Sequence, residues 1–196
     1  MIKTWQDIPG WFDFQSIYDQ AVDEARDGDV LIEVGSYLGK SAAYMAQRIA
    51  GSGKKLDFCC VDTWDPTMYA TWWQYGDDKP TPLPPAELIG LPLYNAFCRC
   101  MSATNSLVIT MRLSSLVAAS LARDHKENLS FVFIDASHLY DDVKADIAAW
   151  TPKLRPGGLL AGHDYRIGMW PGVTQAVDEA FGSRVEHRGN SWVVRI

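Results

Sequence analysis

Four short apolar runs in this chain end on side chains that can do chemistry. Glu33 lies inside Val30-Leu-Ile-Glu-Val34. Asp62 follows residues 56–61, Asp135 follows Phe131-Val-Phe-Ile134, and His163-Asp164 follow residues 159–162. A carboxylate at a strand end is carried on rigid backbone, where it can accept hydrogen bonds, hold a cation or take up a proton. After Glu33 comes Gly35-Ser-Tyr-Leu-Gly-Lys-Ser41. Glycine takes φ > 0 without strain and lets a ligand approach the backbone. The helix expected from about Lys40 offers unpaired N–H groups and a positive dipole end. That end suits a carboxylate or phosphate, while Glu33 suits an ammonium, so an amino-acid moiety is the expected guest. Gly35, Ser36, Tyr37, Gly39 and Ser41 are its expected contacts beside Glu33.

The turn resembles two nucleotide motifs and satisfies neither. A dinucleotide fingerprint has glycine at its first, third and sixth positions, and Tyr37 stands at the third. The phosphate loop of nucleotide hydrolases ends in Gly-Lys-Ser, as Gly39-Lys40-Ser41 does, but Val34 stands where its first glycine belongs. Asp62, with Thr63 beside it, is expected to accept hydrogen bonds from a ribose diol. Ser114 is expected either to meet an adenine edge or to cap a helix. Asp135 and Asp164, on neighbouring parallel strands, would repel each other unless one is protonated or a cation sits between them. Oxygen ligands suit Mg²⁺, Ca²⁺ or Mn²⁺, and His163 would complete a set of Asp135, His163 and Asp164. His138 is read either as a general base or as a structural histidine at a helix entry.

The elements that must hold these groups follow from periodicity. Phe14, Ile17, Tyr18, Ala21, Val22 and Ala25 make one helical face over 13–27. Strands are expected at 30–34, 56–61, 107–110, 131–134 and 159–162, alternating with helices at 41–50, 93–104, 114–123, 140–150 and 173–181. Two closing strands, 184–187 and 192–196, flank Gly189-Asn190. Alternation predicts a doubly wound α/β sheet with its ligand outside the carboxyl ends of the strands. Residues 63–92, rich in tryptophan, tyrosine and proline, break the alternation and are expected to form a lid over the acceptor.

At 196 residues and net charge −6, with no run of lysine or arginine, the chain predicts one domain and no nucleic-acid surface. No apolar stretch reaches a membrane span. Cys59, Cys60, Cys98 and Cys100 lack zinc spacing. A reducing cytoplasm is expected, and the oligomeric state is not legible.

Glu33-Val-Gly-Ser-Tyr-Leu-Gly-Lys-Ser41, Val61-Asp-Thr-Trp64, Phe133-Ile-Asp-Ala-Ser-His-Leu-Tyr-Asp141, Leu154-Arg-Pro-Gly-Gly158 and Gly162-His-Asp-Tyr165 together resemble class I S-adenosylmethionine-dependent methyltransferases. The nearest group is the small O-methyltransferases allied to macrocin-type and cephalosporin-biosynthesis enzymes. The resemblance spans about residues 28–196. It implies a Rossmann-like seven-stranded sheet ordered 3-2-1-4-5-7-6, the last strand antiparallel. It implies S-adenosylmethionine as cofactor, with Glu33, Gly35 and Gly39 around its methionine part and Asp62 at its ribose. It further implies methyl transfer to a hydroxyl of a small molecule, with Mg²⁺ on acids matching Asp135 and Asp164 in the metal-dependent members. The sequence departs from the pattern at Tyr37, where the wider superfamily has glycine, and at His163, where some relatives carry an acid. A non-catalytic binding or assembly protein and a hydrolase on the same sheet are the alternatives.

Overall fold

A computed structural model describes residues 1–65, 67, 88–122, 127–166 and 168–196. Its centre is one seven-stranded sheet, with strands β1 (Val30–Val34), β2 (Asp57–Asp62), β3 (Ile109–Arg112), β4 (Leu129–Ile134), β5 (Leu159–Gly162), β6 (Glu186–Arg188) and β7 (Ser191–Arg195). The order across the sheet is β3-β2-β1-β4-β5-β7-β6. The pairings β1–β2, β1–β4, β2–β3 and β4–β5 are parallel, and β7 runs antiparallel to both β5 and β6. The order implied by the resemblance is the observed one.

Among the described residues six α-helices flank the strands: α1 (Gln15–Glu24), α2 (Lys40–Ser52), α3 (Leu93–Ala103), α4 (Ser115–Leu121), α5 (Tyr140–Trp150) and α6 (Pro171–Phe181). Alternation of side chains along each strand sorts them into two cores. Leu31, Phe58, Cys60, Phe131 and Phe133 pack against α1, α2 and α3 on one face. Val30, Ile32, Val34, Val61, Val132 and Ile134 pack against α4, α5 and α6 on the other. Glu33 falls on the first face, so a carboxylate is carried into an apolar layer beneath α1.

Most boundaries shift by one or two residues from the periodic pattern, the strand expected at 184–187 is Glu186–Arg188, and the larger departures have local reasons. The first helix covers Gln15–Glu24 rather than 13–27. At its end Lys54 Nζ collects the carbonyls of Val22, Asp23 and Ala25, and Asp29 accepts the N–H of Arg26. At its start Asp13 turns its side chain away to His163 and Asn190. The third strand runs Ile109–Arg112 rather than 107–110. Asn105 at φ 52° and the Ser106 N–H on the Met101 carbonyl close α3 first, which leaves Leu107 88% exposed. A 3₁₀ turn at Trp5–Asp7, absent from the periodic pattern, is closed by a capping box between Thr4 and Asp7.

Most of the expected lid, 63–92, lies outside the described residues. Trp64 does not: it is buried against Phe97 and Tyr94 at centroid distances of 4.7 and 5.0 Å, as a core residue. All four cysteines are free thiols, and only Cys98 is exposed. Among the described residues no helix is long and apolar enough to cross a membrane.

Candidate active site

The turn after β1 is pinned on both sides. Gly35 donates its N–H to the Val61 carbonyl at 2.8 Å, and the Asp135 N–H reaches the Val34 carbonyl at 2.8 Å. Gly35 has φ 94°, and a Cβ there would stand 2.0 Å from the Asp135 carbonyl oxygen. Glycine is therefore required by the close passage of two strand ends, before any ligand is considered. Gly39, also left-handed at φ 85°, is the N-cap of α2, and its N–H returns to the Ser36 carbonyl at 2.8 Å.

Tyr37, standing where the wider superfamily has glycine, adopts the glycine-like conformation at φ 48°. A side chain in that region costs about a kcal/mol or more and needs other contacts to hold it. Asp62 supplies one, accepting the Tyr37 N–H at 2.9 Å on Oδ2. The Trp64 indole supplies the other, donating to the Tyr37 carbonyl at 2.8 Å. Asp62 also accepts the Trp64 N–H at 2.7 Å on Oδ1. These two bonds to backbone fix how the carboxylate is oriented on the turn. Asp62 thus shapes the turn before it meets any ligand.

Glu33 is 1% exposed and accepts the Tyr18 hydroxyl on Oε2 at 2.5 Å. Its other oxygen, Oε1, is buried with no hydrogen-bond partner among the described residues. Burial pushes the Glu33 carboxyl up to about 7, and the Tyr18, Ser36 and Ser41 hydroxyls work against that rise. An unsatisfied acceptor of this kind is costly in a closed core and useful beside an incoming ammonium. Ser36 is buried beside it and Ser41 is half-buried in the first turn of α2. Thr63 is half-buried and its carbonyl accepts Arg112 Nε at 3.4 Å. Ser114 is exposed at the N-cap of α4 without a side-chain capping bond.

The other half of the rim is an acid–imidazole cluster at the ends of β4 and β5. Ligand atoms of Asp135, His138 and Asp164 lie within 4.8 Å of one another. His138 Nε2 is hydrogen-bonded to Asp164 Oδ2, and its ring lies 4.4 Å from that of Trp170. Asp164 sits at φ 59°. His163 does not join this triangle. Its Nε2 lies 2.9 Å from Asp13 Oδ1 and its Nδ1 3.4 Å from Asp164 Oδ1. Burial opposes a charge on His163, but the hydrogen bond to Asp164 and the charges of Asp135, Asp164 and Asp13 push it up to about 9. Burial raises Asp135 to about 6, with His163 opposing and Asp164 adding to the rise. Burial also works to raise Asp164, yet bonds to His138 and His163 hold it well below the usual carboxylate range.

The structure therefore gathers the expected residues into two adjoining groups, Glu33 to Asp62 around the turn and Asp135 to Asp164 beyond it. The Gly35–Asp135 backbone contact is the seam between them. Three participants escaped the sequence pattern. Tyr18 is indistinguishable there from the apolar face it shares. Trp170 precedes a helix with no motif around it. Asp13 is 150 residues from His163, and nothing local to either residue pairs them.

A methyltransferase-domain family model matches residues 32–165. Over 146 residues the chain is 26% identical to the uncharacterized protein y4gI of Sinorhizobium fredii, covering 71% of this chain and 14% of that one. It thus spans about one seventh of that curated relative. Among solved structures it is similar to CalS11, a TDP-rhamnose 3'-O-methyltransferase of calicheamicin biosynthesis, with TM-score 0.59 and 17% identity over 92% of this chain and 76% of that one. It is also similar to the O-methyltransferase NovP, with TM-score 0.60 and 16% identity over 92% and 78%. At these identities the likenesses show a shared fold.

Proposed function

The chain belongs to the methyltransferase-domain family, whose expected methyl donor is S-adenosylmethionine. On that premise we propose that it methylates a hydroxyl of a small molecule, a sugar or a phenol, as one methyltransferase domain. CalS11 and NovP, similar in fold, are O-methyltransferases, and the first acts on a nucleotide sugar. The observation that carries the proposal is the buried, half-satisfied Glu33 beneath a glycine turn whose far side meets a histidine–carboxylate pair.

When bound, S-adenosylmethionine supplies a methyl group on a sulfonium, already activated for displacement. Glu33, with Gly35, Ser36, Tyr37, Gly39 and Ser41, receives its amino-acid end. Asp62 and Thr63 receive the ribose, and Ser114 stands on the adenine side. The protein's remaining work is alignment of the acceptor and removal of its proton. His138 takes that proton. Asp164 holds Nε2–H of the ring, which makes Nδ1 the basic nitrogen, and Trp170 holds the ring plane. Asp135, on the seam, borders both halves of the rim.

The divalent ion that the resemblance implies meets a donor set already engaged. Both oxygens of Asp164 face imidazole nitrogens, and both nitrogens of His163 face carboxylates. Of Asp135, His163 and Asp164, only Asp135 is not committed in this way; the ligand atoms that lie within 4.8 Å of one another are those of Asp135, His138 and Asp164.

The test is calorimetric titration with S-adenosylmethionine, followed by transfer of its labelled methyl group to a panel of sugar and phenol acceptors. Binding and a gain of one methylene mass in a hydroxyl acceptor support the proposal. Absence of binding removes it. Binding with transfer to no acceptor favours a non-catalytic cofactor-binding protein.

A further inference from the structure

We propose that Trp11, carried across the rim on a strap of residues 8–14, recognises the acceptor by stacking on a ring face beside the hydroxyl that is methylated. The inference rests on the methyl-transfer reading above and deepens it. The strap is fastened to both halves of the site within a few residues. Gly10 lies against the glycine turn, where a Cβ on it would stand 3.7 Å from Lys40 Cβ and 3.8 Å from Tyr37 Cδ1. Three residues on, Asp13 Oδ1 lies 2.9 Å from His163 Nε2, and Asp13 Oδ2 accepts Asn190 Nδ2 at 3.0 Å. Phe14 then stacks on Phe133 of β4 at a centroid distance of 4.3 Å. Three residues of extended chain span at most about 11 Å. Trp11 stands on that short crossing, between the turn that receives the cofactor and the end of β5.

A single exposed apolar side chain is ordinary on a protein surface. This one is set apart by the backbone that carries it. Exposure alternates along the strap, with Phe12 half-buried and Phe14 buried, and with Trp11 and Asp13 exposed. A period of two is that of successive side chains leaving opposite sides of the chain, so Trp11 shares the side on which Asp13 meets His163. Phe12 is held edge-on to Trp5 at 5.4 Å and to Phe14 at 4.8 Å, and lies 5.0 Å from Tyr44. With Phe12 locked into that cluster and Gly10 against the turn, the Trp11 ring is kept out of the core and is 58% exposed. An indole presents a large apolar face with few rotatable bonds and pairs with ring faces about 4.5–7 Å away. It carries no charge, so it selects the shape of a ring. That ring is the shared property of a phenol and of the C–H face of a sugar.

The experiment reads the ring directly, with no turnover involved. The full chain is labelled with fluorotryptophan, and the Trp11 fluorine resonance is assigned as the one missing from Trp11→Phe. Phenol and a methyl glycoside are titrated separately, each with and without S-adenosylhomocysteine, the demethylated cofactor. A saturable shift of the Trp11 resonance is expected in at least one arm, with the buried Trp64, Trp150 and Trp192 unmoved. The arm that shifts identifies the source of the ring. No shift in either arm, or a drift that never reaches a plateau, would overturn the proposal. Calorimetry with S-adenosylmethionine is read on its own, so a failure of the methyl-transfer reading is seen apart from the response of Trp11. Where turnover is found, Trp11→Ala is expected to raise the acceptor KM about tenfold, with S-adenosylmethionine affinity unchanged and most of the loss restored in Trp11→Phe. An unchanged acceptor KM, or a loss confined to S-adenosylmethionine affinity, would count against it.

Discussion

Tyr18 in α1 donates its hydroxyl to Glu33 in β1 across 2.5 Å, inside an otherwise aromatic layer. Phe131 and Phe133 stand 5.6 and 5.2 Å from the Tyr18 ring, so the bond is made where water does not reach. It holds one carboxylate oxygen and leaves the other without a hydrogen-bond partner among the described residues. The acid at the head of the turn is therefore a buried group set by the first helix.

Glu33 should make stability depend on pH. Its folded-state pKa of about 7 lies above the ordinary 4.5, so burial penalises the ionised form. The contribution is full below about pH 4.5 and is lost as pH rises towards 7, by about 3 kcal/mol in all. Urea denaturation at pH 5 and pH 8 should show this fall. Glu33→Gln should shrink that fall by about this amount, leaving the part due to Asp135 and His163, and should be the more stable chain at pH 8. A variant whose pH dependence matches wild type would show that Glu33 does not titrate in this range.

Tyr18→Phe should cost about 2 kcal/mol, the scale of a hydrogen bond to a charged group. The same variant should bind S-adenosylmethionine more weakly, since Glu33 is then less readily ionised and less well aimed. Equal affinity by calorimetry, with stability lowered, would confine Tyr18 to the core.

Asp62 should show two separable losses. Asp62→Ala leaves the N–H groups of Tyr37 and Trp64 without their acceptor and should lower stability by about 1–3 kcal/mol. It should also weaken S-adenosylmethionine binding by at least about 1 kcal/mol. Unchanged affinity in the folded variant would leave Asp62 as a brace for the turn and remove it from the ribose.

Two glycines give a matched comparison. Gly28→Ala meets only the conformational penalty of φ 87°, since nothing lies within 4 Å of the added carbon. A loss of about 1–2 kcal/mol is expected. Gly35→Ala adds a 2.0 Å clash with the Asp135 carbonyl and should cost well above that, or prevent folding. Equal melting points for the two variants would contradict the seam between the two halves of the rim.

His138→Gln should lower kcat by about 100-fold or more, the scale of general base catalysis, while leaving the S-adenosylmethionine KM nearly unchanged. Loss confined to KM would assign His138 to binding.

The architecture was legible in the chain because it rests on local signals. The apolar runs at 30–34, 131–134 and 159–162 and the helix at 140–150 match the observed β1, β5 and α5 in full and most of β4. Parallel alternation then put Glu33, Asp62, Asp135 and Asp164 at the strand ends, where the structure has them. The assignment of partners was not legible. That Tyr18 reaches Glu33 from among aromatic rings, that His163 meets Asp13, and that His138 reaches Asp164 are settled by contacts 15 to 150 residues apart. A hydrogen bond depends on where two atoms stand to within a fraction of an ångström. Residue type and period determine which element forms and which face it buries. Only the packing of α1, the segment before it and the loops at the strand ends onto the sheet decided what each acid on that rim would touch.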